Sequence, residues 1–155
     1  MSQSNAPAPR KINPPHYFLF ALLLMVGAAQ LPWGRGLLPA PWPWGGLVPV
    51  IVGVAISIVA ARQFDKAGTN IVPLSQSSAL VTDGMFAYTR NPMYLGLLLV
   101  LAGTAILLNS VWPWLVLVAF LLVIRLHFVR HEEALMERTF GDQYVAYKGR
   151  VRRWV

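Results

Sequence analysis

Four runs of apolar residues, at about 17–31, 47–61, 93–108 and 111–125, are separated by stretches where proline, glycine and charge return. A membrane-crossing helix needs roughly 20 mostly apolar residues, with about 17 tolerated. The pattern therefore predicts an all-α, polytopic helical membrane protein with about four transmembrane helices. Residues 1–15 are polar and proline-rich, too poor in apolar surface to fold alone, and are expected as a flexible tail before a single domain at 16–155. The first run is short and follows Arg10 and Lys11, features shared with a signal peptide, but it is read as a retained span. Between the first two runs, Trp33, Trp42 and Trp44 among prolines and glycines suit a turn at the headgroup level.

The interval 62–91 is the longest polar stretch. Its recurring apolar residues, among them Ile71, Leu74, Leu80, Val81 and Phe86, predict a long cytoplasmic loop folded onto the membrane face of the bundle. Pro92 suits the first turn of the third helix, and Asn109 with Ser110 makes a tight turn into the fourth. From Arg125 through Arg138 there is neither glycine nor proline, so the fourth helix should project roughly 20 Å beyond the membrane, at 1.5 Å per residue. Gly141 is its first natural stop. This cytoplasmic helical extension, 126–155, ends in a basic tail punctuated by Phe140, Tyr144 and Tyr147.

Composition agrees. Of 155 residues, 56% are hydrophobic and 12% charged, and the mean hydropathy is +0.53, too apolar for an ordinary soluble domain of this size. The absence of cysteine excludes disulfides, thiolate metal sites and a cysteine nucleophile. A net charge of +7 fits orientation and contact with anionic lipid. Nucleic acid is not an expected partner, because no basic run is interleaved with exposed aromatics. With four spans, Arg10, Lys11, Arg62, Lys66, Arg90 and every basic residue from Arg125 onward fall on one side, leaving Arg35 on the other. The positive-inside rule then makes both termini and the long loop cytoplasmic, in what is expected to be the inner (cytoplasmic) membrane of a bacterium. All the acids lie on that same side, so charged chemistry is expected there.

Two stretches carry that chemistry. At TRNPMYLG, residues 89–96, a loop bearing Arg90 and Asn91 runs into an apolar helix bearing Tyr94. Backbone N–H groups at a helix start, beside an arginine, can receive a carboxylate; the plainer alternative is a positively flanked helix start with an interfacial tyrosine. In VRHEEALMERTFGDQY, Glu132 and Glu133 stand beside Arg130 and His131, and Arg125, seven residues before Glu132, is expected on its face. Such a pair can grip hydroxyls or an ammonium group, or can simply solvate a helix. His127 and His131 have an i, i+4 spacing, but a third ligand is not evident, so no metal site is assigned. Dinucleotide, Walker and nucleophile-elbow templates find no match.

Together these stretches resemble the integral-membrane methyltransferases of the isoprenylcysteine carboxyl methyltransferase and phospholipid methyltransferase group. That group's pattern is an arginine-histidine-proline-x-tyrosine-x-glycine turn, then a glutamate pair, leucine, phenylalanine-glycine and spaced tyrosines. Here it reads RNPMYLG and EEALMERTFGDQYVAYKGRV, preceded by LVTDGMFAYT, so the resemblance covers about 64–153. It implies S-adenosylmethionine as cofactor and a methyl transfer to a lipophilic acceptor: a phospholipid amine, a prenylated or other carboxylate, or a thiol. By the same resemblance, Ser78, Ala79, Leu80, Val81, Phe86, Arg90, Asn91, Pro92, Met93, Tyr94, Glu132 and Glu133 are the cofactor-binding residues. Asn91 stands where the group often has histidine. Phe128 stands where it has an arginine before the glutamates, which leaves Arg125 and Arg130 as candidates to meet the substrate. An amine acceptor would need a base, for which Glu133 and His131 are the candidates. The alternatives are a non-catalytic membrane scaffold or lipid-binding protein of the same fold, and a membrane reductase using a nicotinamide cofactor.

Overall fold

A computed structural model describes residues 14–68 and 79–155, and among them there is no strand. The helices are α1 (Pro14–Ala28), α2 (Leu47–Lys66), α3 (Pro92–Leu108), α4 (Trp112–Val123), α5 (Arg130–Phe140) and α6 (Asp142–Arg150). A π-helical segment, Ile124–Val129, joins α4 to α5 without a break, so that one 29-residue helix runs Trp112–Phe140. That helix, and α2 with the single-turn 3₁₀ helix before it (Trp42–Lys66), are long and apolar enough to cross a membrane. The apolar α1 and α3 are shorter, at 15 and 17 residues. Many large apolar side chains point outward, including Phe20, Leu23, Val48, Ile51 and Leu115. Such an apolar exterior suits lipid as solvent.

The tightest pairing is between α2 and α3, and its cause is four glycines. Gly46 and Gly53 on one side meet Gly103 and Gly96 on the other, in antiparallel register. A Cβ on Gly53 would fall 2.5 Å from the Gly96 carbonyl oxygen, and one on Gly96 the same distance from that of Gly53. One turn further, the Ser57 hydroxyl donates to the Met93 carbonyl at 3.4 Å. On the other side of α3, a core of Ala21, Met25, Leu101, Ala105, Phe120 and Ile124 joins it to α1 and α4.

At the bundle end near Arg35, Asn109 takes a left-handed conformation (φ +48°) and its side-chain amide clamps Leu38, both bonds 2.8 Å. Arg35 is exposed, its Nε donating to the Ala29 carbonyl at 2.8 Å. The opposite end carries the other charged residues among those described. There α2 runs five residues past the end expected from hydropathy, which brings Phe64 into helical register and into a buried cluster with Ala60, Val81 and Phe86. Gly141, at φ +51°, stops α5 where the sequence predicts. The chain then forms α6, a helix where only a basic tail was expected, and Tyr144, Tyr147 and Val151 pack back against Leu80, Met136 and Phe140.

Candidate active site

The start of α3 follows from its sequence. Asn91 has a non-helical backbone (φ −131°, ψ 53°) and Pro92 occupies the first helical position, where its missing N–H is no loss. Thr89 Oγ1 accepts the Asn91 N–H at 3.3 Å, fixing the turn, and the bond from the Leu95 N–H to the Asn91 carbonyl (2.9 Å) opens the helix. Arg90 and Tyr94 are thereby held on either side of the junction.

Facing them across the bundle is the start of α5. The π segment decides which of its residues face inward. A π turn accommodates one residue more than an α turn and so rotates every position beyond it. Ile124, Phe128 and Val129 are buried, whereas Arg125 is exposed and Glu132 and Glu133 turn inward. The seven-residue spacing between Arg125 and Glu132 therefore does not place them on one face.

Between these two helix starts lies a cavity of about 570 Å³ including its open mouth. Its apolar part is made by Phe64, Leu80, Val81, Phe86, Met93 and Met136, its polar part by Arg90, Asn91, Tyr94, Glu132, Glu133 and the edges of Tyr144 and Tyr147. Pro92 completes the wall. Phe64 and Phe86 meet edge to face with centroids 5.0 Å apart.

The two glutamates have different surroundings. Tyr94 donates its hydroxyl to Glu132 Oε1 at 2.7 Å. Burial pushes the Glu132 carboxyl above its ordinary value, and the Tyr94 hydrogen bond opposes that rise. Glu133 is clamped by two arginines. Arg153 donates from Nε to Oε1 at 3.0 Å and from Nη2 to Oε2 at 2.6 Å, while Arg90 Nη2 lies 3.2 Å from Oε1. The hydrogen bond to Glu133 is the main reason the Arg153 guanidinium holds its proton more tightly than usual. Tyr147 donates to the Phe86 carbonyl at 2.7 Å; burial pushes its phenol up to about 12, against the pull of Arg90. Burial, and then Glu133, push Tyr144 up as well. Arg90 itself is 9% exposed, and its Nε and Nη1 are buried without a hydrogen-bond partner. A buried guanidinium with two uncommitted nitrogens gains by pairing with a carboxylate, once a small side-chain shift brings those nitrogens to the cavity surface.

Of the residues expected from sequence, Leu80, Val81, Phe86, Arg90, Asn91, Pro92, Met93, Tyr94, Glu132 and Glu133 come together around this cavity. Ala79 is half-buried beside it without lining it, and Ser78 lies outside the described residues. His131, Arg125 and Arg130 are exposed and do not line the cavity. Phe64, Met136, Tyr144, Tyr147 and Arg153 were not expected. Tyr144, Tyr147 and Val151 recur at i, i+3 and i+7, a one-face helical pattern that could have revealed α6. Nothing local to Arg153 signals its long-range partner.

Comparison with known proteins bears on the same stretches. Residues 42–143 match the family model described as phospholipid methyltransferase. A 63-residue stretch is 43% identical to an uncharacterized protein of Haemophilus influenzae, covering 41% of this chain and all of that one. Protein-S-isoprenylcysteine O-methyltransferase A of Arabidopsis thaliana is 32% identical over 108 residues, 66% of this chain and 53% of its own. The solved structure of a eukaryotic intramembrane Ras methyltransferase, isoprenylcysteine carboxyl methyltransferase, superposes with a TM-score of 0.62. That superposition covers 89% of this chain and 47% of that one at 22% identity, and so speaks for the fold. This chain thus spans about half the length of the two named methyltransferases. With a family model matched across well over half its residues, on both sides of the cavity, the chain belongs to the phospholipid methyltransferase family.

Proposed function

We propose that this protein is an S-adenosylmethionine-dependent methyltransferase of the membrane, acting on a lipophilic acceptor. The observation that carries the reading is Arg90, buried in the cavity wall with two nitrogens unpartnered. The surrounding residues fit the cofactor. Arg90 suits its carboxylate and Glu132, oriented by Tyr94, suits its ammonium group. Phe64, Val81, Phe86 and Met93 offer an apolar and aromatic enclosure for the adenine. When bound, S-adenosylmethionine supplies a sulfonium methyl group open to in-line displacement. The protein's contribution is to align the partners and exclude water, more than to supply a strong base.

The acceptor is proposed to arrive already anionic, as a carboxylate or a thiolate. Both oxygens of Glu133 are taken by arginine donors, and His131 lies outside the cavity lining, so neither expected base is free to take a proton from an amine. Four spans, in the inner membrane of a bacterium, with the site and both termini cytoplasmic, complete the proposal, on the strength of the charge distribution.

Purified protein should bind S-adenosylhomocysteine in calorimetry, and Glu132→Ala should weaken that binding about tenfold or more, the loss of one charge-assisted contact. Folded wild type that does not bind would refute the reading. Membranes incubated with labelled methyl donor should carry label in carboxyl-ester or thioether products; label confined to phospholipid amines would overturn the anionic acceptor.

A further inference from the structure

The clamp on Glu133 contains more positive charge than it needs. Arg90 and Arg153 face one carboxylate, leaving one unit of positive charge in excess. The two arginines do not share Glu133 equally. Arg153 takes both oxygens with two nitrogens, whereas Arg90 makes one contact at 3.2 Å. Arg153 is not itself a wall of the cavity. It comes from a strap at residues 151–154 whose backbone is tied to the α3 junction on both sides of Arg90. The Arg153 carbonyl accepts from Asn91 Nδ2 at 3.0 Å and from Thr89 Oγ1 at 3.2 Å, and the Arg90 N–H donates to the Arg152 carbonyl at 3.0 Å.

We propose that Arg153 is a positioning residue: by occupying Glu133 with its own fork, it leaves Arg90 Nε and Nη1 available for the carboxylate of the ligand. A carboxylate flanked by a single arginine draws it into a two-nitrogen pair. Without Arg153, Arg90 would turn its fork onto Glu133, and the receptor for the ligand's carboxylate would close. Asn91 and Thr89 serve the same arrangement by fixing the strap in register. The inference rests on the donor site proposed above, and the ligands chosen for its test separate the two.

The test compares S-adenosylhomocysteine with its decarboxylated analogue, both measured by calorimetry on detergent-purified full chain. Wild type is expected to prefer the carboxylate-bearing ligand. Arg153→Ala should weaken S-adenosylhomocysteine about tenfold and leave the decarboxylated analogue within about twofold, so that the preference collapses. Arg153→Lys keeps the charge but not the fork, and its preference should fall in the same direction. A wild type that binds neither ligand overturns the donor site and this inference with it. Wild type binding both, with the variants weakened equally toward the two ligands or toward neither, overturns the role of Arg153 alone.

Discussion

Adjacent in sequence, Glu132 and Glu133 have been given opposite tasks by their neighbours. Glu133 is neutralised by guanidinium groups, while Glu132 has only a phenol and a buried setting. The consequence is a pH dependence with a definite sign. The folded protein holds the Glu132 proton more tightly than the unfolded chain does. Stability from this group therefore falls as pH climbs above the ordinary carboxyl value of 4.5 and levels off beyond the raised one. Thermal melts should show that decline, and Glu132→Gln should flatten it. An ammonium ligand needs the carboxylate, so S-adenosylhomocysteine affinity should rise through the same window with release of a proton, read by calorimetry in buffers of different ionisation enthalpy. Arg90, Tyr94 and the two glutamates were legible because each sits in a compact motif. Asn91 was legible as a site member, but not as the residue whose amide anchors a strap some 60 positions away, because that bond is purely tertiary.

Among the elements, the α2–α3 pair shows how far a hydropathy pattern reaches. The apolar runs located both helices to within a few residues. The contact between them was not legible, since Gly46, Gly53, Gly96 and Gly103 gain meaning only once the antiparallel register is known. Gly96→Val should push the backbones apart and cost about 1–3 kcal/mol as an overpacked contact. Gly27→Ala, where nothing lies within 4 Å of the new methyl, should leave the melting temperature unchanged or slightly raised. The π segment was illegible for a different reason. No residue type announces an extra residue in a turn, and it alone decides that Glu132 rather than Arg125 faces the cavity.

For the whole molecule, the distribution of charge proposes an orientation that can be measured directly. The chain has no cysteine, so single replacements report without background. Lys66→Cys and Arg150→Cys, both exposed, should react with an impermeant thiol reagent only after cells are opened, and Gln30→Cys should react in intact cells. The reverse pattern would invert the proposed topology.

The strap adds a temporal constraint. Its bonds to Thr89, Asn91 and Glu133 come from residue 153, which leaves the ribosome after α1, α2, α3 and α4 have been made. The bundle can therefore insert and pack its glycines before the cavity exists. If Arg153 acts as proposed, a nascent chain that has reached α5 but not residue 153 presents Glu133 to Arg90 alone, and the proposed receptor for the ligand's carboxylate opens only when the strap arrives.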